Sequence, residues 1–225
     1  CNSDGATVNT HSGIGVYGNT HGFLAGYPSS RHSLSCAVVA REGDSMERDY
    51  WYTTARRADD LDAAEAVGRR AAERTVARLN ARRLRTRNAP VIFRAETASG
   101  LLRGFVGAIR GSALYRRASF LLDALGKPVF PQWVRIHEDP LLPRGLSSAP
   151  FDAEGMATRA RELVSNGVLQ GYVLDSYSAR KLGMATTGNA GGVRNLAIDS
   201  GEHDLQGLLR EMGTGLLVTE LMGQG

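Results

Sequence analysis

Cysteine is nearly absent from this 225-residue chain, which holds only Cys1 and Cys36. Two thiols are too few for a disulfide framework, and too few for a structural zinc site built on thiolates. Long apolar runs are missing as well. None approaches the ~20 residues of a bilayer-spanning helix, and no signal-peptide pattern opens the chain. The expectation is a soluble protein of the reducing cytoplasm with no membrane partner. Charge of one sign hardly dominates, with 27 Lys and Arg against 23 Asp and Glu, a formal +4. At 42% hydrophobic and 22% charged residues, the composition excludes a disordered tail. The 27 glycines favour many turns and a β-rich fold.

Several chemistries lack their motifs. There is no GxSxG nucleophile elbow. Gly13-Ile14-Gly15-Val16-Tyr17-Gly18 fits GxGxxG, but Asn19-Thr20-His21-Gly22 continues turn-forming composition where a dinucleotide site needs a helix N-terminus. It reads as a glycine-rich β-turn. His137-Glu138 opens a zinc-protease pattern, yet residue 141 is Leu and Pro140 breaks the helix. His11, His21 and His32 recur at intervals of ten and eleven and read as polar surface. Cys36, inside an apolar strand, reads as a small hydrophobe.

The positive charge is concentrated. Residues 55–89 hold ten arginines and five acids, a net +5. Clustered arginines bind phosphates, but base stacking wants interleaved aromatics and none occurs from Ala55 to Ile92. Arg70, Arg74 and Arg78, at i, i+4 and i+8, read as a solvated helix face, which disfavours a nucleic-acid partner.

Periodicity places strands at Asp4–Ser12, in Phe23–Glu42 (broken at Pro28-Ser29-Ser30) and from Met46 to Arg56, the last two joined as a hairpin. A helix follows, started by an Asp62/Glu65 capping box and ended at Asn88-Ala89-Pro90, with Leu61, Ala64, Gly68, Ala71, Thr75, Val76 and Leu79 inward. Pro90–Phe93 reads as a short buried strand. Ala95–Arg110 reads as a helix with Leu101, Leu102, Phe105, Val106 and Ile109 inward, and Ala113–Leu125 as another. Further on come a strand at Trp133–His137, a long loop from Glu138 to Gly155, and a hairpin over Arg161–Asp175 turning on Asn166-Gly167. Ser176–Leu182 reads as a helix, Arg194–Ile198 as a strand, Asp204–Met212 as a helix and Gly215–Leu221 as a strand. Hairpins mixed with helices indicate an α+β fold with mixed and antiparallel sheets. Two regions emerge: 1–90, strand-rich with one Arg-rich helix, and 91–225, α+β. The loop Gly188-Asn189-Ala190-Gly191-Gly192 either presents backbone N–H groups to a carboxylate or peptide carbonyl of a substrate, or makes a tight structural crossover.

Five stretches carry a resemblance. They are Gly22-Phe23-Leu24-Ala25-Gly26-Tyr27, Ser119-Phe120-Leu121-Leu122-Asp123, Ser176 through Gly183 (SYSARKLG), Gly188 through Gly192, and Met212 through Gly225 (MGTGLLVTELMGQG). Together they resemble the TldD/PmbA family, and within it the PmbA (TldE) branch. The resemblance implies a TldD/PmbA-like fold and a longer protein, with an N-terminal domain before Cys1 that region 1–90 continues and further strands after Gly225, where region 91–225 is truncated. It also implies cytoplasmic metalloproteolysis, in which a TldD-type subunit and a PmbA-type subunit process unfolded peptides. The TldD-type subunit carries a HExxxH helix. The matching helix here places Arg103 at the first histidine, Gly104 at the glutamate and Ala108 at the second histidine. None can ligate zinc or act as a base, so the resemblance implies no catalytic residue, no metal and no cofactor on this chain, with zinc in the partner subunit. Edge strands would hold an extended peptide through backbone hydrogen bonds. Three alternatives stay open: a homodimer, a self-sufficient metallopeptidase using His11, His21 or an unrecognised site, and a DNA gyrase or nucleic-acid modulator acting through the Arg69–Arg87 cluster.

Overall fold

Small and β-branched residues alternate along the first third of the chain and form β1 (Asn2–Gly18), β2 (Leu24–Glu42) and β3 (Ser45–Ala55). These make an antiparallel sheet in the order β1-β2-β3. The computed structural model describes residues 1–221 and divides into two units. The first unit comprises residues 1–85 with the loop 142–148, and the second comprises residues 86–141 and the chain from Ala149 onward.

In the first unit, the expected hairpin turns on Gly43-Asp44, with Glu42 opposite Ser45. Two expectations fail in β1 and β2. Pro28 does not interrupt β2, because β3 pairs with β2 only from His32 to Glu42. Pro28 therefore has a neighbouring strand on one side only, where a missing N–H is tolerated. The Gly13–Gly18 motif is strand rather than turn, with Gly13 opposite Ser29 and Gly18 opposite Leu24.

The helix α1 (Ala64–Val76) packs on β2 and β3. Its buried residues are Val67, Ala71 and Thr75, and the sheet beneath it buries Val38 and Ala40. The face is rotated from the one expected, since Ala64 and Val76 are exposed. The Asp62/Glu65 capping box does not form. Ala63 is the N-cap, and the Asp62 N–H instead donates to Thr53 Oγ1 at 3.2 Å. The helix also stops twelve residues before Asn88. Asn80 takes a left-handed φ of 58°, its N–H donates to Ser45 Oγ at 3.0 Å, and its Nδ2 donates to Glu42 Oε2 at 2.7 Å. These bonds tie the chain to the β2–β3 hairpin and end the helix.

The arginine row is not a solvated face. Arg74 Nε lies 3.2 Å from Asp49 Oδ2, and Arg78 lies 3.6 Å from Glu47 and 3.7 Å from Asp49. The guanidinium groups of Arg70 and Arg74 sit 5.5 and 5.3 Å from the Trp51 ring centre. Eight helical residues rise about 12 Å, and the four-residue step from Glu47 to Trp51 on β3 spans about 13 Å. An i, i+4, i+8 row thus matches every second residue of the strand.

The second unit runs through β4 (Val91–Phe93), α2 (Ala95–Ala108), α3 (Gly111–Tyr115), β5 (Ile136–Glu138), β6 (Arg161–Ser165), β7 (Val168–Leu169), α4 (Ser176–Lys181), β8 (Leu196–Ile198), α5 (Leu205–Met212) and β9 (Leu216–Val218). β4 and β9 pair in parallel, and an antiparallel sheet has the order β7-β6-β5-β8. Ile109, Ile136, Leu163, Val164 and Leu169 form a core with no exposed area. The β6–β7 turn is Asn166-Gly167, with φ of 49° and 75°, as the Asn-Gly pair implies. Other details differ from the sequence pattern. β4 is not buried, since Val91 and Phe93 are 46% and 37% exposed in a two-stranded sheet. On α2, Leu102 packs on the core while Leu101 is exposed. The helix expected over 113–125 stops at Tyr115, because Arg117 and Asp123 adopt left-handed φ of 57° and 55°. Trp133 is exposed and β5 begins only at Ile136. The expected last strand shortens to β9, and Met222–Gly225, with the expected truncation after them, lies outside the described residues. The fold is α+β, with antiparallel and parallel sheets.

Asp49 is 8% exposed, so losing its arginine leaves a buried charge poorly compensated. Arg74→Ala should lower stability by about 2 kcal/mol, Arg78 retaining part of the compensation. The same substitution in an Asp49→Asn background should cost well under half as much. Urea unfolding of the full-length protein measures both.

Candidate functional site

Glu138 ends β5 with its side chain turned inward and only 2% exposed. A carboxylate so placed must be paired and hydrogen-bonded. Register supplies the partner, because Arg161 at the start of β6 stands opposite Glu138. Arg161 Nε donates to Glu138 Oε1 at 2.7 Å, Nη1 to Tyr172 O at 2.8 Å and Nη2 to Asn189 Oδ1 at 2.7 Å. Asn189 Nδ2 donates back to both Glu138 oxygens, at 3.0 and 3.2 Å, and the Arg194 N–H donates to Oε2 at 2.9 Å.

A second carboxylate grips the same loop. Asp152, also 2% exposed, accepts from the N–H groups of Glu154 and Met156 on Oδ1 and from Ala190 on Oδ2, each at 2.9 Å. Gly188 has a φ of 71°, and a Cβ there would lie 2.7 Å from Ala157 O, so glycine is required by contact as well as by torsion. Within the expected binding loop, three N–H groups are already engaged: Gly188 on Thr186 Oγ1 at 3.4 Å, Ala190 on Asp152, and Gly192 on Asn189 O at 2.8 Å. Gly188, Asn189 and Ala190 are buried, while Gly191 is exposed. The loop is thus a crossover at its start and a wall at its end. Gly191 and Gly192 line a cavity of about 270 Å³ together with Arg110, Ser112, Asp175 and Ser178.

Asp175 caps α4. Its Oδ1 accepts from the Ser178 N–H and from the Ser178 hydroxyl, both at 2.7 Å. These two bonds, and then the charge of Arg110, hold its carboxyl below the ordinary aspartate range. On α2, Arg103 and Gly104 are exposed, whereas Ala108 is 8% exposed within the core and its carbonyl accepts from Ser119 Oγ at 2.6 Å.

These positions do not fit a metal. Arg103, Gly104 and Ala108 offer no donor, and an imidazole at 108 would displace core atoms. Among the described residues, no group of three or more His, Cys, Asp or Glu is arranged to hold an ion. His137 Nδ1 instead lies 3.3 Å from Asp199 Oδ1, and His32 Nδ1 lies 3.2 Å from Thr10 Oγ1. Among the described residues no helix is long and apolar enough to cross a membrane. Sequence reasoning named the 188–192 loop but not Glu138, Asp152 or Arg161, which build it. Glu138 drew notice only as the second half of a His-Glu pair.

Residues 2–79 match the PmbA/TldA metallopeptidase central domain, and residues 86–225 match the PmbA/TldA metallopeptidase C-terminal domain. The chain is 51% identical over 224 residues to the metalloprotease PmbA of Escherichia coli O157:H7, and 52% identical over 225 residues to a metalloprotease PmbA homolog of Haemophilus influenzae. Each match covers 100% of this chain and 50% of the relative, so the chain spans about half the length of these relatives. A solved structure from Bacteroides thetaiotaomicron, described as a candidate modulator of DNA gyrase, superposes with a TM-score of 0.90 at 28% identity over 97% of this chain and 49% of its own.

Removing the buried carboxylate leaves Arg161 and Asn189 unmatched. Glu138→Ala should destabilise the full-length protein by about 3 kcal/mol and raise amide exchange in residues 186–192 ahead of the rest. Hydrogen-exchange mass spectrometry reads the second effect directly. For Asp175 the sign follows from its lowered value: its stabilisation is present above the ordinary aspartate range and lost as pH falls through the folded-state value. The stability gap between the parent and Asp175→Asn should therefore be full near pH 7 and close as pH falls below the ordinary aspartate range. Urea midpoints across that range measure it.

Proposed function

The chain belongs to the PmbA/TldD metallopeptidase family, in its PmbA branch, and we propose that it is the PmbA/TldE-like subunit of a cytoplasmic TldD-type metalloprotease complex that processes or degrades unfolded peptides. The observation that carries this reading is α2. Where a HExxxH helix places two imidazoles and a carboxylate, this helix has Arg103, Gly104 and the buried Ala108. A guanidinium stays protonated at neutral pH, glycine has no side chain, and a methyl group has no lone pair. Zinc and the general base belong to the TldD-type partner on this reading. The PmbA-type subunit supplies binding surface.

Peptide recognition by such a subunit needs backbone groups rather than selective pockets. The 17-residue β1 is an edge strand of its sheet, which suits it to pair with an extended peptide of any sequence. Gly191, at the exposed turn of the glycine loop, is the second candidate contact. The gyrase-modulator reading, which the description of the Bacteroides structure invites, draws less support. Its sequence basis was the arginine cluster, of which Arg70, Arg74 and Arg78 are already matched by Glu47, Asp49 and Trp51.

Full-length protein alone should show no peptidase activity and no stoichiometric zinc. Mixed with its TldD-type partner it should cleave an unstructured peptide, with activity lost to a chelator and maximal near equal proportions. Cleavage or one tightly held zinc per chain without the partner would overturn the proposal, as would a partner equally active alone.

A further inference from the structure

We propose that the cavity between the glycine loop and α4 binds a small free α-amino acid in its zwitterionic form. The proposal uses only residues of the second unit and stands apart from the subunit reading above.

The walls carry two opposite charges that do not meet. Arg110 and Asp175 both line the cavity, yet no ion pair forms between them within 4.0 Å. The Arg110 backbone bonds to Gly107, Ala113 and Leu114, while among the described residues its guanidinium acts on Asp175 through charge alone. Its Nη2 stands over Gly192, 3.2 Å from where a Cβ would be, so the glycine leaves the guanidinium room to face the cavity. Asp175 directs Oδ1 at the Ser178 N–H and hydroxyl, and the Tyr177 N–H also faces its carboxylate.

The backbone holds both charges in place. The Gly111 N–H donates to Val173 O at 2.9 Å, and the Val173 N–H donates to Ile109 O at 3.0 Å, so the residue preceding Gly111 and the residue two beyond Val173 are clamped side by side. Gly111 packs so tightly that a Cβ would strike the Ser178 side chain. The two charged side chains therefore rise from a common rigid floor.

Charge selects the ligand. Asp175 repels a plain carboxylate or phosphate, and Arg110 repels a plain amine. A molecule with a carboxylate and an ammonium on one carbon answers both, the carboxylate taking N–H bonds from Arg110 and the ammonium donating to the Asp175 carboxylate. In a peptide the two termini draw apart by up to about 3.5 Å for every residue, so lengthening the ligand separates its two charges. The cavity volume, about 270 Å³, accommodates a small side chain. The Ser112 hydroxyl lies on the same wall.

The test compares L-alanine, N-acetyl-L-alanine and L-alaninamide in titrations of the full-length protein followed by calorimetry and by the thermal midpoint. Alanine should bind saturably with a Kd of about 1 mM. Either blocked compound should bind at least about tenfold more weakly, each having lost one charge-assisted contact. Arg110→Gln should weaken alanine by a similar factor. No saturable binding of alanine, equal binding of all three compounds, or unchanged affinity in Arg110→Gln would each overturn the proposal. The ligand-side comparison holds even if a substitution in the cavity disturbs folding.

Discussion

A carboxylate shut away from water must find its compensation inside the protein, and the second unit is organised around Glu138 for that reason. Antiparallel register brings Arg161 opposite it, and the guanidinium fork divides its donors among Glu138, Tyr172 O and Asn189. Asn189 closes the circuit by donating back to Glu138. The glycine loop is thereby fixed at its centre by side-chain bonds rather than by a sheet or helix. Asp152 fixes the neighbouring peptide. Breaking one member leaves charged or polar partners unmatched in a medium of low polarity, so the network behaves as a unit. The loop that lines the cavity owes its shape to these bonds.

The first unit solves a different problem with the same kind of pairing. A helix bearing arginines one turn apart lies along a strand whose acids and tryptophan recur at every second residue, and the two repeats advance by nearly equal lengths. The positive charge that dominates residues 55–89 is partly spent inside the protein on Asp49, Glu47 and the Trp51 face. Net charge counted along a sequence does not tell how much remains for a partner.

What the sequence disclosed depended on the range of the interactions. The Asn166-Gly167 turn, the Asp204 start of α5 and the glycine stop after α4 are set by neighbours a few residues apart, and all were legible. So was the α+β class, from hairpins interspersed with helices. The early end of α1 was not, because Asn80 is held by Glu42 and Ser45, thirty-eight and thirty-five residues away. The same applies to the face of α1, which β3 determines. Glu138 meets its partners across 23, 51 and 56 residues, so no local spacing could reveal the network. The glycine loop could be read as a loop, but not the two carboxylates that build it. The cavity charges Arg110 and Asp175 come from separate elements and were likewise invisible. Long motifs gave the family, and the resemblance singled out three positions on α2 that periodicity would have passed over as one exposed arginine and two small residues.

Those positions carry the proposal that this chain is the metal-free member of a pair. Ala108 is packed in the core with Phe105, and Arg103 and Gly104 are exposed, so α2 is a supporting helix in this chain. The proposed division of labour gives the metal to one member of the pair and leaves this one to offer walls for a peptide. Anomalous diffraction at the zinc edge, on crystals of the full-length protein assembled with its TldD-type partner, tests this most directly. The account predicts one anomalous peak per pair, with every protein ligand contributed by the partner. A peak ligated by side chains of α2 in this chain would contradict it.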